Sequence, residues 1–192
     1  MGRPREFSEE QVLDAALQVF WARGFEATSV QELVDATGLS RASLYGAFGD
    51  KEALFGRVLA HYGARAEATA RELEEAPSAR AGIERFLLQS FERLVPRSGP
   101  RGCFVQLSVS ECQPARPAAA KAAEGGARET EQGLLRALRR GKKAGEFRAA
   151  LDAKATARLL WIMLQGIASA ARAGRSRDEL REVVRQAVRL LE

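Results

Sequence analysis

Histidine is all but missing from the 192 residues: His61 stands alone, and there are only two cysteines, Cys103 and Cys112. That scarcity works against an enzyme, because no nucleophile elbow, phosphate loop or metal-ligand cluster of recognised spacing can be assembled from what remains. The expected sets of catalytic residues, metal ligands and cofactors are therefore empty. Two cysteines make no disulfide framework, and the polar, charged N-terminus carries no secretion signal. The most apolar run, LLWIMLQGIASAA from Leu159 to Ala171, has 13 residues and includes Gln165 and Gly166, whereas a membrane span needs about 20. A cytoplasmic protein with reduced thiols and no membrane partner follows as the expectation. Strand-like alternation is also absent, apart from Phe104 to Val109, which reads equally well as a buried helix.

What is present favours helices: 46% of residues are hydrophobic, and Ala, Leu, Arg and Glu are abundant. The chain is organised around Thr28 to Phe48, TSVQELVDATGLSRASLYGAF. Thr28 or Ser29 can cap a first short helix, with Glu32 completing a capping box. Val30, Leu33 and Val34 then share one face. Gly38 stands where a left-handed residue ends a helix, and Leu39 fits the apolar contact that accompanies such a stop. Ser40 caps a second helix from Arg41 to about Ala47, which turns Leu44 and Phe48 inward and keeps Arg41, Ala42, Ser43 and Tyr45 near the outer face. Two helices joined by a short Gly-containing turn form the DNA-binding helix-turn-helix, whose second helix enters the major groove.

Net charge does not point to DNA by itself. The total is +5, yet residues 1–48 carry four basic side chains against seven acidic ones, net −3, and the other 144 residues carry 26 against 18, net +8. Placement matters more than the sum, since phosphate neutralisation is local. Arg3 and Arg5 lie in an N-terminal arm of the kind that reaches a minor groove or crosses phosphates, and a frayed terminus is the equal alternative.

The run from Phe7 to Phe55 closely resembles the DNA-binding domain of TetR-type transcriptional regulators. The segments AALQVFWARGFEATSV and TGLSRASLY carry the likeness, together with KEALF three residues after Phe48. It covers about a quarter of the chain residue by residue, and Gly102, Cys103 and Phe104 extend it to the Gly-Cys-aliphatic start the family often shows. The resemblance implies an all-α homodimer: a three-helix helix-turn-helix domain, residues 1–55, joined by a long helix to a helical effector-binding and dimerisation domain, residues 56–192, about nine helices in all. Arg41 is the candidate base contact, bidentate to guanine, and Ala42 suits a thymine methyl. Thr28, Ser43, Tyr45 and Lys51 match family positions that anchor phosphates. Lys51 opposes the helix dipole at its own N-terminus, which a phosphate there would explain. Gly46 and Ala47 depart from the family, which frequently carries an aromatic or His in their place.

Further helices are expected from Glu9 to Arg23, capped by Ser8 and striped by Val12, Ala16, Val19 and Phe20; from Lys51 to Glu75, capped by Asp50; and from Ala79 to Val95. Others run from Cys103 to Cys112, after the loop Pro96 to Gly102; from about Pro117 to Ala144, interrupted by Gly125 and Gly126; from Asp152 to Ala173; and from Ser176 to Leu191. The basic cluster Arg136 to Arg148 suits a helix C-terminus better than a nucleic-acid patch. Leu160, Leu164, Ala168 and Ala171 form one stripe and Leu180, Val184, Ala187 and Leu191 another, explained either by the dimer interface that the resemblance implies or by an intramolecular core. Tyr62, Phe86, Phe104, Leu107 and Trp161 are candidate effector-pocket walls, with His61, Arg65, Glu111 and Gln165 as polar contacts. All of them also suit ordinary core.

The function expected is a ligand-responsive regulator, a repressor, that binds a palindromic DNA operator as a homodimer and is released by a small hydrophobic or aromatic effector. The alternatives are a thiol- or metal-responsive sensor using Cys103 and Cys112, and a sequence-independent architectural protein.

Overall fold

The computed structural model describes residues 8–112 and 117–191, with side-chain surroundings given outside 65–67, 69–70 and 110–127. Along the described residues the chain forms nine helices and no strand: α1 Glu9–Arg23, α2 Val30–Thr37, α3 Arg41–Phe48, α4 Lys51–Glu75, α5 Ala79–Leu94, α6 Phe104–Cys112, α7 Pro117–Lys143, α8 Ala153–Arg172 and α9 Arg177–Arg189. Phe104 to Val109 is therefore helical, and α7 continues through Gly125 and Gly126. The arm with Arg3 and Arg5, Pro114, and the side chains of Arg65, Glu111 and Cys112 lie outside the described residues.

Two compact units divide the chain. Met1–Ala64 with Phe104–Ala120 makes the first, and Arg65–Cys103 with Lys121–Glu192 the second. The first unit thus extends along α4 to Ala64, past residue 55 where the DNA-binding domain is expected to end, and also takes in α6.

The core of the first unit explains that addition. Val12, Leu13, Ala16, Leu17, Phe20 and Trp21 line the inner face of α1, joined by Leu33, Leu44, Phe48, Leu54, Phe55 and Val58. Val19, expected in this stripe, is only partly buried. Three short helices cannot cover so many large rings. Phe104 of α6 fills the remaining space, edge-on to Phe55 at 5.7 Å and to Tyr62 at 5.7 Å, with Tyr62 edge-on to Trp21 at 5.3 Å. Such aromatic pairs contribute about 0.5–1.5 kcal/mol beyond their buried area. Ser8 occupies the N-cap position of α1 without the expected side-chain hydrogen bond.

In the second unit Ile83, Phe86, Leu87 and Phe91 of α5 pack with Leu134 and Leu138 of α7 and with α8 and α9. All eight stripe residues, Leu160, Leu164, Ala168, Ala171, Leu180, Val184, Ala187 and Leu191, are at most 5% exposed within this single chain, the burial that the intramolecular alternative requires.

The basic cluster ties helix ends together. Arg140 of α7 donates to the carbonyls of Leu73, Glu74 and Ala76 at the C-terminus of α4, and Lys142 Nζ donates to Leu151 O at 2.6 Å. Orphan carbonyls of a helix end favour cations on both hydrogen-bonding and dipole grounds. Glu146 does the converse at the start of α5. Its carboxylate accepts from Arg80 N at 2.9 Å, Ser78 Oγ at 2.7 Å and Ala79 N at 3.1 Å. Gly141 lies where a Cβ would come within 2.9 Å of Ala79 Cβ and collide with the Phe147 ring, so α7 and α5 approach only because that position has no side chain.

These donors, the Arg80 backbone N–H first and then the Ser78 hydroxyl, hold Glu146 below the ordinary carboxylate range. A depressed folded value means stability that is fully present above the unfolded value of about 4.3 and lost as pH falls through the folded one. Glu146→Gln is accordingly expected to melt lower than wild type at neutral pH. The gap should close as pH drops below 4, read from thermal unfolding across a pH series. A gap that does not change with pH would reject the assignment.

Candidate nucleic-acid interface

Three residues, Gly38 to Ser40, separate α2 from α3, and each contributes to the turn. Ser29 starts α2 with a reciprocal capping box: Glu32 N donates to Ser29 Oγ at 3.2 Å, and Ser29 N donates to Glu32 Oε2 at 2.8 Å. Gly38 ends α2 at φ 69°, ψ 8°, a left-handed conformation that glycine adopts without steric cost. Ser40 then caps α3, accepting from Ser43 N at 3.1 Å, and its hydroxyl lies 2.9 Å from Ser43 Oγ.

The outer face of α3 is set by which residues face the core. Leu44 and Phe48 are buried; Arg41, Ala42, Ser43, Gly46 and Ala47 are exposed, and Tyr45 is half-exposed. The guanidinium of Arg41 lies over the Tyr45 ring, 5.6 Å from its centroid. Exposed side chains from Arg41 to Tyr45 thus supply a fork of N–H donors, a methyl, a hydroxyl and a phenol along one short helix. Gly46 faces open space: a Cβ there would meet nothing within 4 Å. Glycine in a helix interior is less stable than Ala by about 0.5–1 kcal/mol. Gly46→Ala is therefore expected to stabilise the fold by that amount, and an unchanged unfolding midpoint in denaturant would show that the backbone at Gly46 is not under this constraint.

Lys51 and Thr28 sit differently from the expectation. Thr28 is 2% exposed, and its hydroxyl donates to Gly24 O at 2.6 Å. The hydroxyl proton is committed inside the fold, where Thr28 shapes the entry to α2. Lys51 Nζ donates to Thr28 O at 2.7 Å and stands 4.4 Å from the centroid of the Phe25 ring. One of its three protons therefore braces the turn between α1 and α2 against the start of α4, where Asp50 Oδ1 accepts from Ala53 N at 2.8 Å. Sequence reasoning missed this strut because its acceptor is a backbone carbonyl 23 residues away.

Three acidic groups of the first unit are turned to internal partners. Glu9 pairs with Arg57, and Asp14 Oδ1 lies 2.7 Å from His61 Nε2, both across α1 and α4. Glu32 pairs with Arg23 at 2.8 Å. His61, a candidate polar contact of the pocket, thereby links α1 and α4. Tyr62, Phe104 and Leu107 are likewise packed on the first unit's core, while Phe86 and Trp161 belong to the second. The expected pocket walls thus fall in two separate cores, because a helical period reveals an apolar face and not the neighbour that covers it. Cys103 is half-buried against the second core. Among the described residues no group of three or more His, Cys, Asp or Glu is placed to hold a metal ion, and no described helix is long and apolar enough to cross a membrane.

Comparison with known proteins agrees with this geometry. Residues 12–58 match the family described as bacterial regulatory proteins, tetR family. Residues 82–187 match the tetracyclin repressor-like C-terminal domain. The HTH-type transcriptional repressor ComR of Escherichia coli (strain K12) is 30% identical over 191 residues, covering 98% of this chain and 91% of that protein. The repressor BdcR of the same organism is 37% identical over 114 residues, covering 59% of this chain and 58% of that one. Among solved structures, a cysteine mutant of the TetR family transcriptional regulator CifR, complexed with 26bp double-strand operator DNA, matches with a TM-score of 0.83 at 34% identity, covering 99% of this chain and 100% of that chain. These relatives are regulators and not enzymes. The chain belongs to the TetR family of transcriptional regulators, all-helical with an N-terminal helix-turn-helix domain and a C-terminal helical domain.

Proposed function

We propose that the protein is a cytoplasmic transcriptional repressor that binds a palindromic operator as a homodimer and leaves it when a small hydrophobic or aromatic effector binds. The observation that carries the reading is the outer face of α3, where Arg41, Ala42, Ser43 and Tyr45 stand exposed on a helix whose inner face is locked by Leu44 and Phe48. In this reading Arg41 donates two N–H groups from one edge of its guanidinium to a guanine and Ala42 meets a thymine methyl. Ser43, Tyr45 and the remaining protons of Lys51 hold phosphates, with Arg3 and Arg5 adding contacts from the arm. Both Arg41 and Lys51 occupy the first turn of a helix, where a cation opposes the dipole unless an anionic or acceptor-rich partner lies beyond it.

Dimerisation is assigned to the outer face of α8 and α9 in place of the buried stripes. Leu159, Ile162, Val183 and Leu190 are 52%, 58%, 44% and 52% exposed, and they are four of the five large exposed hydrophobics described. Their spacing, three residues on α8 and seven from Val183 to Leu190, puts each pair on one helical face. Two-fold pairing there would present two α3 helices to half-sites separated by whole turns of DNA. The division of labour follows: residues 1–55 read DNA, and residues 56–192 bind effector and dimerise. Phe86 and Trp161 as walls, with Gln165 as a polar contact, are the candidate pocket residues that lie in the second unit.

The test is selection of genomic duplexes by the full-length protein. A two-fold palindrome, bound with an affinity that falls steeply with salt, is the expected product. Recovery of unrelated sequences with equal affinity would instead mean an architectural protein.

A further inference from the structure

The contact between Arg41 and Tyr45 carries more than a phosphate anchor. Arginine is long and rotamer-rich, so an exposed arginine that must meet a guanine edge has to give up side-chain entropy on binding. Here the guanidinium already lies over the ring four residues along the same helix, 5.6 Å from its centroid. Tyr45 is half-buried and follows Leu44, which is locked into the core, so its ring is less free than that of a fully exposed tyrosine. A guanidinium held over a ring face, rather than paired with a carboxylate, keeps its N–H fork available for two parallel hydrogen bonds. No acidic side chain of α3 competes for those donors, since the helix carries none in its first turn. Gly46 and Ala47 add no side chain reaching beyond a methyl, so base reading on this helix falls chiefly to the Arg41 fork.

We propose that Tyr45 is a specificity-determining residue that pre-sets Arg41 for guanine, acting through its ring face and not chiefly through its hydroxyl. The inference rests on Arg41 being the base reader of the preceding section. A stacked cation at an exposed site contributes about 0.5–1 kcal/mol, or roughly 2- to 5-fold per half-site.

The experiment uses the full-length protein and the operator selected by the wild type, with every half-site base pair substituted singly. For each variant the penalty of a substitution is the ratio of its Kd to that of the intact operator, a ratio that the folded fraction of a preparation does not alter. Arg41→Ala should erase the penalty at one guanine and thereby identify the base pair it reads. Tyr45→Phe should keep the wild-type penalty there. Tyr45→Leu should lower it by roughly 2- to 5-fold per half-site, with penalties elsewhere unchanged. The double variant should discriminate no worse than Arg41→Ala alone. Equal, uniform losses for Tyr45→Phe and Tyr45→Leu across all sequences would overturn the proposal in favour of a hydroxyl on phosphate, as would additive effects in the double variant. If Arg41→Ala leaves every penalty in place, the base-reading assignment itself falls, a result distinct from the others.

Discussion

Arg41→Ala should sharply reduce discrimination between the operator and unrelated DNA while leaving the weak binding to unrelated DNA within a few-fold of wild type. A good bidentate pair with guanine is worth about 1–3 kcal/mol, and a two-fold dimer makes it twice. The combined 2–6 kcal/mol corresponds to a loss of roughly 30-fold to 2 × 10⁴-fold in operator affinity. Binding to unrelated duplex rests on phosphate contacts, to which this position contributes little. Stability should hardly move, because Arg41 is exposed and its described contact is with the ring of half-exposed Tyr45. Fluorescence anisotropy with operator and scrambled duplexes at one fixed salt concentration reads both affinities. A loss of the same size on both would make Arg41 a phosphate contact and return base reading to another side chain.

The helix-turn-helix was legible because its determinants are local. Ser29 with Glu32, the left-handed Gly38 and the Ser40 cap each act within three or four residues, and Leu44 and Phe48 follow from the helical period once the cap fixes its phase. Thr28 shows where local reasoning stops. The same hydroxyl that could cap a helix or meet a phosphate is consumed by Gly24 O, and only the folded turn brings that carbonyl to it. Phe104 was read as a pocket wall for a similar reason: its apolar character is evident in the chain, but its burial against Phe55 and Tyr62 depends on α6 crossing to a core whose other members all lie before residue 63. Glu146 capping α5 from 67 residues away left no sequence signal either, since an isolated Glu after a basic helix end has many possible uses. The two stripes of α8 and α9 were seen correctly as periodic. Periodicity marks a face that must be covered, and here the covering comes from α5 and from each other within one chain.

Replacing Ile162 by Glu should separate the dimer without unfolding the chain, and this contrast distinguishes the outer face from the stripes. Ile162 is 58% exposed in the single chain, so a carboxylate there remains hydrated in the monomer and costs little. In the proposed dimer two such carboxylates would be buried close to the two-fold axis without partners, at several kcal/mol each. Leu164→Glu, two residues away, places the same charge at a side chain only 4% exposed, and that variant should lose cooperative unfolding altogether. Sedimentation should therefore find Ile162→Glu as a folded monomer with a near-native thermal midpoint. Operator binding should fall with it, because one recognition helix reads only a few base pairs and the second half-site ceases to be held at high effective concentration, a contribution of about 10²- to 10⁴-fold. A dimer that survives Ile162→Glu with operator affinity intact would move the interface off this face and leave Leu159, Val183 and Leu190 as isolated surface hydrophobics. Loss of operator binding by a variant that stays dimeric would separate the two roles and place Ile162 in the geometry of the pair instead of its formation.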